Sequence, residues 1–346
     1  MGMKGNRQVG LARRVAAGSA ALFLLLLIAV TISIGLGAER VPMSATARIV
    51  AAHLSGRAVP ADIPAKYDTI IWYIRLPRVL LAVMVGILLA AAGAALQGLL
   101  LNPLADPYTV GVSAGAALGA AMAFVVGLGG WFHGFGVPVV SFLFACAAMF
   151  VVYSLARSAG RVSIHSFLLA GIVVGSFLWA VLTFVMTVAG RDLATIIHWL
   201  LGSFDAPDPW AYVLMTLPFA VLGLAVLYGL ARDLNVFSLG EETARHLGIE
   251  TEGLKLAVIG TTSLITAAAV SVSGIIGFVG LIVPHIARRV FGADHRVLLP
   301  TAALLGAILM VLADAAARAL GELPVGVVTA MIGAPFFLYL LRRAAA

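Results

Sequence analysis

Few ionisable side chains interrupt the long apolar runs of this sequence, and Asp314 in VLADAAARAL is the best placed of them for proton transfer. An ionisable residue inside an apolar span is typical of ion pathways and proton relays. Arg318 follows four residues later on the same helical face, so a structural ion pair near the outer end of the span explains Asp314 equally well. His198 and His285 stand alone. A lone histidine near a helix end is more often a packing residue, although a pKa of about 6.5 keeps a proton switch open.

The sequence contains no recognisable enzyme active site. The pattern G-x-x-x-x-G-K-[ST] does not occur, so the chain has no visible means of binding the phosphates of ATP. Cys, His and acidic residues do not gather at metal-ligand spacing, and no nucleophile stands beside a base in a known motif. We therefore expect no catalytic residue, no metal site and no cofactor on this polypeptide.

The composition is that of an integral membrane protein, since 62% of the residues are apolar and only 11% are charged. A length of 346 residues suits one polytopic transmembrane domain, 1–346. The net charge of +7 is expected from Lys and Arg in cytoplasmic loops, and it is not interpreted as a nucleic-acid surface. The single cysteine, Cys146, has no second thiol to pair with and is interpreted as a small core residue.

Ten apolar runs are candidate membrane spans, which predicts an all-α polytopic membrane protein. The first run follows a basic tail, 1–18, and is longer than the apolar part of a signal peptide. The weakest run, 275–287, is broken by two glycines and Pro284 and would reach only about 20 Å. The runs lie at about 19–38, 79–101, 110–128, 137–156, 166–189, 210–230, 256–273, 275–287, 297–317 and 323–341.

Charge placement decides whether the weak run crosses the membrane. If all ten runs cross and the N-terminus is cytoplasmic, most of the 22 lysines and arginines lie inside. If 275–287 only re-enters, the majority lie outside, against the positive-inside tendency. We therefore predict ten spans with both termini in the cytoplasm of a multi-pass protein of the inner or plasma membrane.

Two long loops carry features of their own. The outer loop 39–78 contains MSATARIVAAHL, which predicts a short surface helix. The cytoplasmic segment 231–255 contains FSLGEETARHLGIETEGLK, a charged helix-like stretch of about nine helical residues. Ser238 stands three residues before Glu241, which is the capping-box spacing, and Gly248 is a plausible stop. So short a helix needs a packing partner, either its own protein and the lipid headgroups or another protein.

Several stretches in consistent order resemble the membrane permeases of ABC importers for iron complexes and cobalamin. The resemblance rests on GEETARHLGI and on the run from IWYIRLPR to GVSAGAALGA. It extends to SGIIGFVGLIVPHIARRVFGADHRVLLP and to ELPVGVVTAMIGAPFFLYLLRR. It implies a homodimer of ten-span subunits around a central translocation path. It also implies two copies of an ATP-binding subunit, which carries the ATP and Mg, and a substrate-binding protein outside.

The resemblance also implies roles for individual residues. The cytoplasmic helix would be the surface that couples the permease to the ATPase, with Leu239, Gly240, Glu241, Glu242, Ala244, Arg245, Leu247 and Gly248. Three arginines, Arg75, Arg78 and Arg318, would form a cationic rim that docks acidic residues of the binding protein, although snorkelling to lipid phosphate remains an alternative. The fifth span and TIIHWLLGSF would line and gate the path through Phe177, Phe184, Met186 and Leu200.

The apolar character of this path does not select a cargo. Haem, ferric siderophores and cobalamin all suit a bulky substrate that a binding protein hands over. Iron complexes come first only because they form the larger part of the family, and a cobalamin permease is the alternative. A proton-coupled secondary transporter is the less favoured alternative, for which Asp314 would be the key residue.

Overall fold

The computed structural model describes residues 2–37, 39, 41–158 and 161–344, and these residues form helices joined by turns, with a short β-hairpin. The all-α class is confirmed. A π-helical segment, Thr69–Arg75, runs directly into the fourth helix. The strands of the hairpin are β1 (Arg157–Ser158) and β2 (Arg161–Val162), which pair antiparallel. The helices are α1 (Gly2–Gly35), α2 (Met43–Leu54), α3 (Ala65–Asp68), α4 (Leu76–Leu99), α5 (Val112–Val125), α6 (Gly136–Ala156), α7 (Ile164–Val188), α8 (Leu193–Leu200), α9 (Pro209–Gly229), α10 (Ala231–Phe237), α11 (Glu241–His246), α12 (Thr251–Ser273), α13 (Val279–Phe291), α14 (His295–Ala319) and α15 (Val325–Ala344).

Each of the ten predicted spans overlaps one of these helices. Within the described residues, seven helical stretches are long and apolar enough to cross a membrane. The helix α5 and the stretch Val325–Leu338 are shorter apolar helices. The helix α13 has 13 residues, which corresponds to about 20 Å. The number of crossings and the side on which each terminus lies stay predictions.

The basic tail 1–18 is helical from Gly2 onward as the first part of α1, and its cytoplasmic location stays a prediction. The first predicted span ends at Ala38, which lies outside the described residues, and α1 itself ends at Gly35. The predicted surface helix MSATARIVAAHL is confirmed as α2.

Helix α4 lies at the centre of the bundle, where it packs against α9, α12, α13 and α14. Every residue from Leu88 to Leu99 is buried. The sequence there, LLAAAGAALQGL, is made largely of small residues. Small side chains let helix backbones approach closely. In a lipid bilayer the hydrophobic effect does not drive helices together, so this close packing holds them in contact. The composition of α4 therefore explains its central position.

Glycines mark the closest helix crossings. A Cβ atom on Gly86 would collide with the carbonyl of Gly306 in α14, and one on Gly306 would collide with the carbonyl of Gly86. On α5, a Cβ on Gly115 or Gly119 would lie 2.7 Å from backbone carbonyls of α6. The glycines of α5 thus form a packing face against α6.

We predict that Gly86→Val lowers the thermal stability of the solubilised protein. The added side chain overpacks the α4–α14 crossing, which costs about 1–3 kcal/mol or more. The readout is the temperature at which half of the monodisperse peak is lost in size-exclusion chromatography. Gly260→Val on α12 is the control, since nothing lies within 4 Å of its added Cβ. Equal midpoints for the two variants would contradict this packing.

Candidate functional site

The predicted coupling segment forms two short helices, α10 and α11. The capping-box prediction is wrong, because the Ser238 hydroxyl donates to the Leu234 carbonyl at 2.8 Å and so closes α10. The residue that precedes α11 is Gly240. Its φ of 109° is one that residues other than glycine rarely adopt. Helix α11 therefore has six residues, where about nine were predicted.

The predicted end of α11 at Gly248 is confirmed. Gly248 has a φ of +89°, and the Ile249 amide donates to the Ala244 carbonyl at 3.0 Å, which terminates the helix. Arg245 donates to Glu241 at 3.1 Å, one turn apart. The ends of α11 thus follow from its sequence, with Gly240 in place of Ser238 at the start.

The surface of α11 and its flanks is partly apolar. Leu239 and Leu247 are 66% and 62% exposed, while Ala244 is fully buried against the protein. Glu242 is exposed beside them. Two exposed leucines next to acidic side chains are suited to contact with another protein. The coupling role of the eight residues predicted here stays a prediction.

Helix α10 is fixed to the start of α14 by an amide clamp that sequence reasoning missed. The Asn235 amide donates to Asp294 at 2.7 Å, and its oxygen accepts from the His295 backbone amide at 2.8 Å. Hydrogen bonds from Arg296 and then Asn235 lower the pKa of Asp294 to about 2. Asp294 also accepts from the Arg296 amide as the helix cap, and an Asp directly before an apolar run was the available signal.

The segment 102–107, NPLADP, forms a turn between α4 and α5. The Asp106 carboxylate accepts from the Tyr108 amide at 3.0 Å, and burial among the neighbouring residues raises the pKa of Asp106 to about 6. The Tyr108 hydroxyl donates to the Ile276 carbonyl at 2.9 Å and accepts from the Ile276 amide at 3.2 Å. The turn therefore holds the non-helical segment before α13.

The three predicted docking arginines lie together, but their guanidinium groups are engaged inside the chain. Arg75 is buried and donates to the carbonyls of Ile34 and Glu39 at 3.1 and 2.6 Å. The side chains of Arg78 and Arg318 are 12% and 9% exposed. The three guanidinium groups therefore do not form a freely exposed rim, and the docking role stays a prediction.

Asp314 is the anion that joins two of these arginines. It is fully buried, and its two carboxylate oxygens accept from Arg78 at 2.9 Å and from Arg318 at 3.0 Å. The structural ion pair with Arg318 is thus confirmed. Arg318 also donates to the Ser33 hydroxyl at 2.7 Å, and Arg78 contacts Asp205. The cluster ties α1, α4, α14 and the segment after α8 to one another.

The predicted path residues fall into two groups. Phe177 and Phe184 on α7 are 66% and 67% exposed, as a path-lining or partner-facing side chain would be. Met186 and Leu200 are partly buried and pack on the cluster around Leu182. The exposed side of α7 is apolar along its length and includes Leu169, Ile172, Val173 and Val188. The lining role of all four predicted residues stays a prediction.

A small cavity with a mixed polar and apolar lining lies next to the predicted gate. It has a volume of about 220 Å³, and its lining includes His198, Ser203 and Asp205. Among the residues that the structure describes, no group of three His, Cys, Asp or Glu side chains is placed to hold a metal ion. The cavity offers polar contacts without the geometry of a metal site.

We predict that Asp314→Asn lowers thermal stability by about 3–5 kcal/mol, since it leaves two largely buried guanidinium groups without their anion. The measurement is the thermal midpoint of the solubilised protein. Asp62→Asn is the matched control, because Asp62 pairs with Arg48 on the surface and both side chains are exposed. A midpoint for Asp314→Asn as high as that of the control would mean that the cluster is not structural.

Comparison with known proteins identifies the family. A model of the "FecCD transport family" matches residues 25–343. The cobalamin import system permease of Halobacterium salinarum is 44% identical over 281 residues, with 81% of this chain and 75% of the relative covered. The hemin transport system permease of Yersinia pestis is 41% identical over 293 residues, with 79% and 83% covered.

A solved structure agrees with these relatives. It is described as an inward-facing conformation of a metal-chelate type ABC transporter. It superposes with a TM-score of 0.81 at 32% identity and covers 94% of this chain and 98% of its own. Sequence and fold agree over nearly the whole length, and the chain is therefore a multi-pass membrane permease that belongs to the FecCD transport family.

Proposed function

We propose that this chain is the membrane-spanning subunit of an ATP-driven importer that moves an iron complex, haem or a ferric siderophore, into the cytoplasm. A binding protein outside the membrane delivers the cargo, and a separate ATP-binding subunit supplies the energy. The subunits act as a homodimer with two ATPase copies. The observation that carries the proposal is the exposed helix α11, with Leu239 and Leu247 on its flanks, in a chain of the FecCD family.

The geometry of α11 supports an ATPase as its partner. The helix is too short to be stable by itself, and its inner face is already packed through Ala244. Its outer surface combines exposed leucines with Glu242, whereas helices that bind membrane surfaces are usually rich in Lys and Arg. A protein that pushes on this surface moves a folded unit, because Asn235 fixes α10 to α14.

The apolar face of α7 supports a bulky cargo. Phe177 and Phe184 present rings with no charge nearby on the same face, so selection falls to the protein that delivers the substrate. The similar proteins are named for hemin and for cobalamin, and the similar structure for a metal chelate. An iron complex is proposed first. Cobalamin is the second candidate, because the relative named for it is 44% identical, compared with 41% for the relative named for hemin.

The binding protein reaches the arginine cluster only at Arg78. Arg75 and Arg318 are enclosed by backbone carbonyls and by Asp314. Arg78 contacts Asp205, whose side chain is 54% exposed, so a carboxylate of the docked protein would replace Asp205 there. Proton coupling through Asp314 is not proposed, since both of its oxygens are engaged by guanidinium groups.

The direct test is uptake by proteoliposomes that contain this chain, the ATPase encoded next to it and the binding protein. Labelled haem, a ferric siderophore and cobalamin are offered in turn, with ATP or with only a proton gradient. We expect uptake of an iron complex that requires both ATP and the binding protein. Uptake of cobalamin alone would correct the cargo, and uptake driven by the gradient without ATP would overturn the proposal.

A second prediction concerns the ATPase contact. Leu239→Asp together with Leu247→Asp should weaken association with the ATPase at least tenfold, because it replaces the exposed apolar contacts with charges. The measurement is co-purification at a fixed detergent concentration. Leu54→Asp is the control, since Leu54 is 77% exposed on α2, at the side predicted to face outside. Equal weakening by the control would show a non-specific effect, and no weakening by the pair would remove α11 from the interface.

A further inference from the structure

The start of α12 contains a buried lysine whose ammonium group contacts three oxygen atoms. The Lys255 side chain is 3% exposed. Its Nζ lies 2.8 Å from Glu241 of α11, 2.8 Å from Glu252 of its own helix and 2.8 Å from the carbonyl oxygen of Val162. The contacts with Glu252 and Val162 are hydrogen bonds, and the contact with Glu241 is an ion pair. Lys255 therefore joins three parts of the chain at one atom.

Glu252 completes the contact on the hairpin. Its second carboxylate oxygen accepts from the Val162 backbone amide at 2.9 Å. Both polar backbone groups of Val162 are thus bound by side chains of α12, in the way that a neighbouring strand would bind them. Val162 itself is 3% exposed. The edge of β2 that faces away from β1 is therefore held to α12 by the Glu252 carboxylate and the Lys255 ammonium group.

The held residue stands directly before α7. Ser163 follows Val162 and caps α7, with its hydroxyl accepting from the Ser166 amide at 3.4 Å. Helix α7 carries the exposed apolar face with Phe177 and Phe184. A shift of Val162 therefore shifts the first turn of the helix that is proposed to line the path.

The ammonium group at the centre of the junction formed by Lys255, Glu241, Glu252 and Val162 is buried, so it costs free energy to pull the members of this junction apart. A charged group away from water needs its partners, and the loss of one leaves a poorly solvated ammonium group. If α11 moved without α12, Lys255 would lose Glu241; if the hairpin moved alone, it would lose the Val162 carbonyl. The low-energy motion keeps all three contacts. Helix α11, the start of α12 and the hairpin then move as one body.

We propose that Lys255 is a positioning residue for transport, which carries displacement of α11 to the base of α7 through Glu241, Glu252 and the Val162 backbone. This role rests on the proposed function, in which the ATPase moves α11. It assigns a transmission role to a residue whose side chain is buried within the permease.

The first test uses the permease alone. Cys146→Ser removes the single cysteine, and Arg161→Cys with Glu242→Cys places spin labels on the hairpin and on α11. Labelled chains are diluted with unlabelled ones, and the distance distribution is measured by double electron–electron resonance in nanodiscs. We expect a narrow distribution in the parent and in Lys255→Arg, and at least a twofold broader one in Lys255→Met. An unchanged width in Lys255→Met would overturn the proposal.

The second test measures cargo imported per ATP hydrolysed in the complete assembly. Lys255→Met should retain ATP hydrolysis but lose at least tenfold in this ratio, whereas Lys255→Arg should stay within twofold of wild type. Lys66→Met is the matched control, because Lys66 pairs with Glu39 on the surface and 61% of its side chain is exposed. A wild-type ratio in Lys255→Met would overturn the proposal.

A third variant covers a failure of Lys255→Met to fold. Glu252→Gln keeps an acceptor for the Val162 amide and removes one charge beside Lys255, so a smaller drop in the ratio is expected. No drop in this variant, with Lys255→Met unfolded, would make Lys255 a residue of stability and would also overturn the proposal. Should the wild-type assembly import nothing with ATP, the proposed function fails, and the distance measurement still decides whether the junction is rigid.

Discussion

The contact between α4 and α14 is the constraint on which the rest of the bundle depends. The two helices are antiparallel and touch along their whole length. Gly86 and Gly306 bring the backbones together at the middle, and Arg78 pairs with Asp314 at one end. At the other end, a Cβ on Gly98 would collide with the buried His295 ring. Small residues and paired charges are the two means by which helices associate in lipid, and this pair uses both.

The ends of this rigid pair hold the segments that are proposed to move. On the predicted cytoplasmic side, Asn235 ties α10 to the start of α14. On the other side, Arg78 contacts Asp205, which follows α8, the helix predicted to gate the path. Helix α7 itself contacts α5 and α6 and has no substantial contact with α4 or α14 among the described residues. Helix α7 can therefore move relative to α4 and α14. In the proposal above, a displacement of the hairpin that precedes α7 would start this movement.

Local features were predictable from the sequence because their determinants lie within a few residues. The apolar runs predict the helices, and Gly248 predicts the end of α11. The spacing of Glu241 and Arg245 is that of an ion pair one turn apart. Ser238 was misassigned because a serine hydroxyl can also bond back to the carbonyl four residues earlier, and here it closes α10. Local spacing alone did not distinguish the two arrangements.

Contacts between distant parts of the chain were not predictable in this way. The sequence does not indicate the ion-pair partners of Arg78, because Asp205 and Asp314 lie far from it along the chain. The partner of Lys255 and Glu252 in the hairpin is the backbone of Val162, so no residue type there signals the contact. The position of the candidate site and its short helix α11 were therefore predictable from the sequence. The long-range contacts that link α11 to the rest of the protein are visible only in the structure.

The central proposal for this protein is that α11 binds the ATPase. The most direct measurement is site-specific photo-crosslinking from Glu242, an exposed position on α11, in membranes that contain the ATPase encoded beside this chain. The account predicts a crosslink to the ATPase whose yield changes when ATP is added. A crosslinker at Glu242 that captures only lipid or the chain itself, with the ATPase present and active, would contradict it.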